Sequence, residues 1–220
     1  MQTEPARKRV KVLLVEDHPM FRERLASVIS KRGMLVCGQA DNAREAGKLA
    51  ETSRPDIAIV DLTLRESNGL DLLKDLKARG IHLPVLMLSM HDEGVYAERA
   101  LRAGARGYIT KIVAAAEVLE AVEQVLKGEI YLSRQMTTRM LGRVTAGEEA
   151  SGDVGLLTDR ELEVYRRIGQ GQTAMEIAAG LGLGLPTINT YRARIKEKLG
   201  IRNGTELQHR ATRWVHENPD

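Results

Sequence analysis

The run Pro55-Asp56-Ile57-Ala58-Ile59-Val60-Asp61 narrows what this chain can fold into. Ile57 to Val60 are apolar at every position rather than at alternate ones. Such a segment suits a strand buried on both faces of a parallel sheet. Pro55 bounds the run and a carboxylate closes it. An unpaired carboxylate is very costly in a core, so Asp61 must emerge at the carboxyl edge, where open α/β sheets build their sites. A lone Asp would merely start the next turn. Asp61 has company.

The same unit, a short apolar run followed by a helical pattern, recurs along the chain. Strands are expected at 10–15, 35–40, 55–61, 84–89 and 108–110, and helices at 20–31, 42–52, 70–79, 95–103 and 114–127. Gly33, Gly80, Gly104 and Gly128 stop four of those helices. Five strand–helix units with short connections imply an α/β fold, a doubly wound parallel sheet covered on both faces. Aromatics make up only 3% of the chain, so its cores are aliphatic.

A short amphipathic helix follows at 133–141. Residues 142–155, rich in Gly, Ala, Ser and acids, read as a linker. Beyond them the pattern is purely helical, an all-α domain. Thr158 and Glu161 form the capping box of a helix ending near Gly169, and further helices are expected at 173–181, 185–199 and 205–214. The division is thus 1–130, 131–155 and 156–220. Cys37 is the only cysteine, which excludes an internal disulfide. The apolar run 12–15 is too short for a signal peptide or a membrane span. The expected location is cytoplasmic, with no membrane partner.

Three carboxylates converge on one rim. Glu16 and Asp17 follow the first strand and Asp61 ends the third. In the order 2-1-3-4-5 those strands are neighbours beside the switch-point crevice. Acids so placed repel one another unless a hard cation sits among them, and Mg²⁺ fits such oxygen donors. Ser89 ends the fourth strand and Lys111 follows the fifth. A carboxylate nucleophile, a metal, a hydroxyl and an ammonium describe a site for phosphoryl transfer to Asp. His18 and His91 lie nearby without metal-ligand spacing and read as loop residues, and Asp92 as a cap for the next helix.

From residue 10 to 128 these motifs resemble the flavodoxin-like receiver domain of two-component response regulators. The resemblance implies that Asp61 accepts a phosphoryl group from a sensor histidine kinase. Glu16, Asp17, Asp61 and the backbone carbonyl of Thr63 would hold Mg²⁺. Ser89 and Lys111 would grip the phosphoryl oxygens, and Tyr108 would be the aromatic that turns inward as Ser89 is drawn to the phosphate. It implies a regulator rather than an enzyme, one whose receiver assists its own phosphorylation and dephosphorylation. Arg65 and Ile112 stand where the family usually has proline. That bears on loop rigidity, not on the chemistry.

The helices at 173–181 and 185–199, joined around Gly182–Gly184, have the form of a helix-turn-helix. Between Pro186 and Arg213 lie Arg192, Arg194, Lys196, Lys198, Arg202, Arg210 and Arg213 against only Glu197 and Glu206, a balance that points to a polyanion. At 100° per residue Ile188, Ile195 and Leu199 share the buried side of the second helix. Asn189, Thr190 and Ala193 lie opposite, flanked by Arg194 and Lys196. Small polar groups framed by cations suit a major groove.

Residues 157–211 resemble the LuxR-type helix-turn-helix, most closely in Leu157-Thr158-Asp159-Arg160-Glu161, Glu176-Ile177-Ala178 and Thr187-Ile188-Asn189-Thr190-Tyr191. Receiver plus this module is the NarL/FixJ class, with a lean to its GacA/UvrY-like members. The expected DNA contacts are Thr187, Asn189, Thr190, Arg192, Arg194 and Lys196. The expected partners are the kinase, double-stranded promoter DNA, a second copy of the chain and RNA polymerase. Two rivals compete with this reading. A phosphatase using Asp61 as nucleophile needs an acid two residues on, where Thr63 stands. A DNA-binding protein whose receiver is never phosphorylated has no use for the intact acids, Ser89 and Lys111.

Overall fold

A computed structural model describes residues 9–64, 67–90, 93–113, 115–146 and 153–218. The chain divides into two compact units, Met1–Ser133 and Arg134–Asp220. The strands of the first are β1 (Lys11–Val15), β2 (Leu35–Ala40), β3 (Ile57–Asp61), β4 (Thr63–Leu64), β5 (Ser67–Asn68), β6 (Val85–Ser89) and β7 (Gly107–Thr110). Five of them form one parallel sheet in the order β2-β1-β3-β6-β7. With only these strands counted, that is the 2-1-3-4-5 order expected for the doubly wound fold.

Its helices are α1 (Pro19–Lys31), α2 (Ala43–Ser53), α3 (Gly69–Ala78), α4 (Glu93–Ala103) and α5 (Ala115–Leu126). β3 and β6 are buried at every residue, as runs without alternation require. Side chains alternate across the sheet. Val12, Leu14, Ile57, Ile59, Leu86, Leu88 and Ile109 thus share one face, clustered with Leu25 and Ile29 of α1 and Val118, Val122 and Val125 of α5. The helices stop where the chain must reverse. Gly33, Gly80, Gly104 and Gly128 all have positive φ, a conformation in which a side chain is strained.

Element bounds differ from the sequence expectation by at most two residues within the sheet domain. Two short strands are additional. β4 and β5 pair antiparallel through Thr63↔Asn68 and Leu64↔Ser67, directly after Asp61. The Arg65, His91 and Asp92 readings lie outside the described residues.

The second unit begins with α6 (Arg134–Ala146). The helix continues past residue 141 into the stretch read as a linker, so Gly142–Ala146 is a correction to that reading. A lone glycine costs a helix only about 1 kcal/mol relative to alanine. Buried Met136 belongs to this helix. A 3-10 turn, Asp153–Leu156, leads to α7 (Asp159–Gly169), α8 (Ala174–Leu181), α9 (Leu185–Lys198) and α10 (Gly204–Glu217). Both α7 and α8 open with full capping boxes, Thr158 with Glu161 and Thr173 with Glu176. Leu162, Ile168, Ile177, Leu181, Ile188, Ile195, Leu207 and Ala211 are buried in this unit. The rings of Tyr165 and Trp214 lie 5.8 Å apart, tilted by 57°. No described helix is long and apolar enough to cross a membrane.

Candidate functional site

Strand register sets the level of each polar group at the carboxyl edge. Val15 pairs with Val60, so Glu16 and Asp61 come next on adjacent strands. Asp61 pairs with Leu88, one residue before Ser89. Ser89 pairs with Thr110, and the Lys111 amide donates to the Ser89 carbonyl at 2.8 Å. The ends of β1, β3, β6 and β7 thus bring Glu16, Asp17, Asp61, Ser89 and Lys111 to one rim. Ser89 and Tyr108 are wholly buried.

Lys111 occupies the centre of the charges. Its Nζ donates to Asp61 Oδ2 at 2.8 Å and lies 2.6 Å from Glu16 Oε2, with all three side chains nearly out of water. The contact with Glu16 is Coulombic only, since Glu16 Oε2 has no aligned donor. Phe21, the chain's only phenylalanine, places its ring 4.8 Å from the same ammonium, a cation–π contact. The Thr63 amide donates to Asp61 Oδ1 at 3.3 Å. Burial pushes the Asp61 carboxyl up from 3.8 to about 7, against the pull of Lys111 and with help from the negative charge of Glu16.

The acids fit a divalent cation. Ligand atoms of Glu16, Asp17, His18 and Asp61 lie within 4.8 Å of one another. Glu16 Oε2 and Asp17 Oδ1 are buried and lack a hydrogen-bond partner, a costly condition that a cation relieves. His18, which its spacing had set aside as a loop residue, belongs to the same group. Its Nδ1 lies 2.8 Å from Asp17 Oδ1 and 3.1 Å from Glu16 Oε1. Arg22 on α1 donates to the Glu16 carbonyl. His18, Phe21 and Arg22 were missed as site residues. The available signal was their position within six residues of Glu16.

Backbone packing holds the Asp61 loop. The Gly69 amide donates to the Leu62 carbonyl at 2.8 Å, and a Cβ at Gly69 would collide with the Asp61 carbonyl. Asn68 caps α3 by accepting from the Leu70 amide at 2.8 Å. The start of α3 is therefore seated directly on Asp61.

In the second unit α8 ends at Gly182, which has φ 65°, and α9 begins after Gly184 with Pro186 in its first turn. The missing proline N–H would be unpaired there in any case. Ile188 and Ile195 are buried, and Thr187, Asn189, Thr190, Ala193 and Arg194 are exposed. Lys196 is half-buried on the flank. Arg192 is also half-buried and turns towards the start of α10, its Nη2 3.9 Å from where a Gly204 Cβ would stand. It does not share the exposed face with Asn189 and Thr190.

The cations of this region sort into two groups. Lys198 is bound to Glu161 at 2.6 Å, Arg202 pairs with Glu206, Arg213 with Glu217, and Arg210 donates to the Leu199 carbonyl at 2.9 Å. Among the described residues Arg194 and Lys196 form no ion pair. They frame the exposed face of α9.

Residues 12–123 match the response regulator receiver domain, and residues 155–211 match the bacterial regulatory proteins of the LuxR family. The chain is 30% identical over 205 residues to the response regulator UvrY of Escherichia coli, covering 93% of this chain and 94% of that protein. With the response regulator GacA of Pseudomonas aeruginosa it shares 30% identity over 199 residues, 90% of this chain and 93% of that one. The crystal structure of a LuxR-family two-component response regulator from an Aurantimonas species aligns at 31% identity and a TM-score of 0.59, over 63% of this chain and 99% of that one. This chain belongs to the response regulators of the NarL/FixJ class, in which a receiver domain precedes a LuxR-type helix-turn-helix.

Proposed function

We propose that Asp61 is the phosphoacceptor of a transcription regulator and that a sensor histidine kinase is its donor. The observation that carries this is the Lys111 ammonium held between Asp61 and Glu16 on one sheet edge. An Asp61 oxygen forms a bond to phosphorus as the P–N bond to the donor imidazole breaks and nitrogen keeps the electron pair. Lys111 then has a phosphoryl oxygen to pair with in place of the bare carboxylate. Glu16, Asp17, Asp61 and the Thr63 carbonyl would hold Mg²⁺, which supplies positive charge against the incoming phosphoryl oxygens.

Charge added at Asp61 draws Ser89 and Lys111, and Tyr108 follows, biasing the β6–α4 side of the receiver between two states. The DNA-binding residues are Thr187, Asn189, Thr190, Arg192, Arg194 and Lys196, with Arg192 on the flank nearest α10. A phosphorylated homodimer would bind two half-sites about one DNA turn apart and contact RNA polymerase, all in the cytoplasm. Residues 1–130 act as receiver, and residues from 156 onward as the DNA-binding domain.

The test uses acetyl phosphate and Mg²⁺ with intact-mass spectrometry. The wild type gains one base-labile phosphoryl group, and Asp61→Asn gains none because an amide is a poor nucleophile. Equal labelling of the two proteins would remove Asp61 from the mechanism.

A further inference from the structure

We propose that Thr190 reads the 5-methyl group of a thymine, with Ala193 beside it, so that each half-site carries a required thymine methyl. The inference rests on the DNA-binding reading of α9 and says what that helix recognises. Its starting point is a hydrogen bond. The Thr190 hydroxyl donates to the Pro186 carbonyl at 3.0 Å, one turn back along the helix. A hydroxyl has one proton to give, and here it is given to the helix itself.

With Oγ1 held against that carbonyl, the γ-methyl takes another staggered position on Cβ. Thr190 is exposed and so is Ala193, one turn on. On a helical projection both flank the point opposite Ile188 and Ile195, which are buried. The middle of the exposed face therefore presents two methyl groups. Asn189 offers an amide on one side, and Arg194 a guanidinium on the other. Glu197 lies on the same face in the last turn and is also exposed. An acid there repels phosphates, which leaves the first turns of α9 as the part that enters a groove.

The thymine 5-methyl is the apolar group that base pairs display in the major groove, and alanine and threonine methyls are suited to it. A Thr190 that donated its hydroxyl to a base would have to break the bond to Pro186. One that uses its methyl keeps it.

The experiment uses the full-length protein and a duplex site selected in vitro from random sequence. Each thymine of the half-site is replaced in turn by deoxyuridine, which removes the methyl and leaves pairing unchanged. One position per half-site is expected to weaken binding by roughly threefold to tenfold, the scale of one buried methyl group. Thr190→Val, which keeps the methyl and lacks the hydroxyl, retains both the affinity and the deoxyuridine penalty. Thr190→Ser, which keeps the hydroxyl and lacks the methyl, binds the thymine site as weakly as the uracil site. Sequence-specific binding that no deoxyuridine weakens overturns this inference alone. So does a Thr190→Val protein that fails as badly as Thr190→Ser. Failure to select any duplex at all overturns the DNA-binding reading itself.

Discussion

Asp61 Oδ2 and Lys111 Nζ face each other at 2.8 Å, each on a side chain no more than 5% exposed. Even so, burial outweighs the ammonium and leaves the Asp61 carboxyl pushed up to about 7. A carboxyl raised on folding contributes stability that is complete below its unfolded value, near 4, and is lost as pH rises through about 7. The receiver without divalent cation should therefore lose stability across that window, and Asp61→Asn should escape this part of the loss. Hydrogen exchange of the β3 and β6 amides in chelator, at pH 5 and pH 8, measures it. The mutant's advantage should widen at pH 8, and it should shrink on addition of Mg²⁺ as the proposed cation site of the folded wild type fills. An advantage of equal size at the two pH values means the carboxyl is ionised in the folded receiver at both.

Gly69 is the second close neighbour of Asp61. It begins α3 where a Cβ would meet the Asp61 carbonyl and the Met87 side chain. Gly69→Ala should push α3 off the acceptor loop, at a cost of about 1–3 kcal/mol, the range for overpacking. Labelling by acetyl phosphate should slow with it. Unchanged labelling with reduced stability would show that the loop position does not govern the chemistry.

What could be read in the sequence and what could not have physical causes. β3 and β6 were legible because strands buried on both faces leave unbroken apolar runs. β4 and β5 were not, since a two-residue strand carries no periodicity. α6 was cut short because Gly142 and its small, polar neighbours look like a linker, while a buried anchor such as Met136 gives no local sign. Within the pocket, Glu16, Asp17, Asp61, Ser89 and Lys111 were legible because strand ends align them. Phe21 was hidden. Its contact with Lys111 spans 90 positions and depends on where α1 packs. Lys198 and Arg210 counted towards a basic block, yet the fold commits both to protein partners.

Lys198 binds the Glu161 carboxylate that also closes the capping box of α7, tying the end of α9 to the start of α7. Burial works to raise the Glu161 carboxyl, yet hydrogen bonds from Lys198 and Thr158 hold it below the usual range. Its stabilisation is thus present above the unfolded value, near 4.5, and is lost as pH falls below that. Glu161→Gln should cost about 1–2 kcal/mol at neutral pH, since a partly exposed lysine is screened, and the difference should close in acid. Trp214 is the only tryptophan, so its fluorescence follows the unfolding of this unit without signal from the receiver. A gap that widens in acid would mean the carboxyl is not ionised in the folded state.

Asn189 and Lys196 should divide base reading from phosphate contact along α9. Asn189 is exposed in the first half of the helix, and Lys196 is half-buried in the last turn. An amide can bond bidentately with adenine, a contact that discriminates by about 1–3 kcal/mol. Asn189→Ala should therefore lose affinity for the selected site, tolerate base changes at one position per half-site, and bind random duplex as before. Lys196→Ala should weaken selected and random duplexes alike, and reduce the salt dependence by about one counterion per subunit. A salt titration of both variants on both duplexes separates these outcomes. Should Asn189→Ala weaken the two duplexes equally, or Lys196→Ala lose only the selected one, the face that enters the groove is rotated. The base contacts would then fall on the side of Thr187 and Arg194.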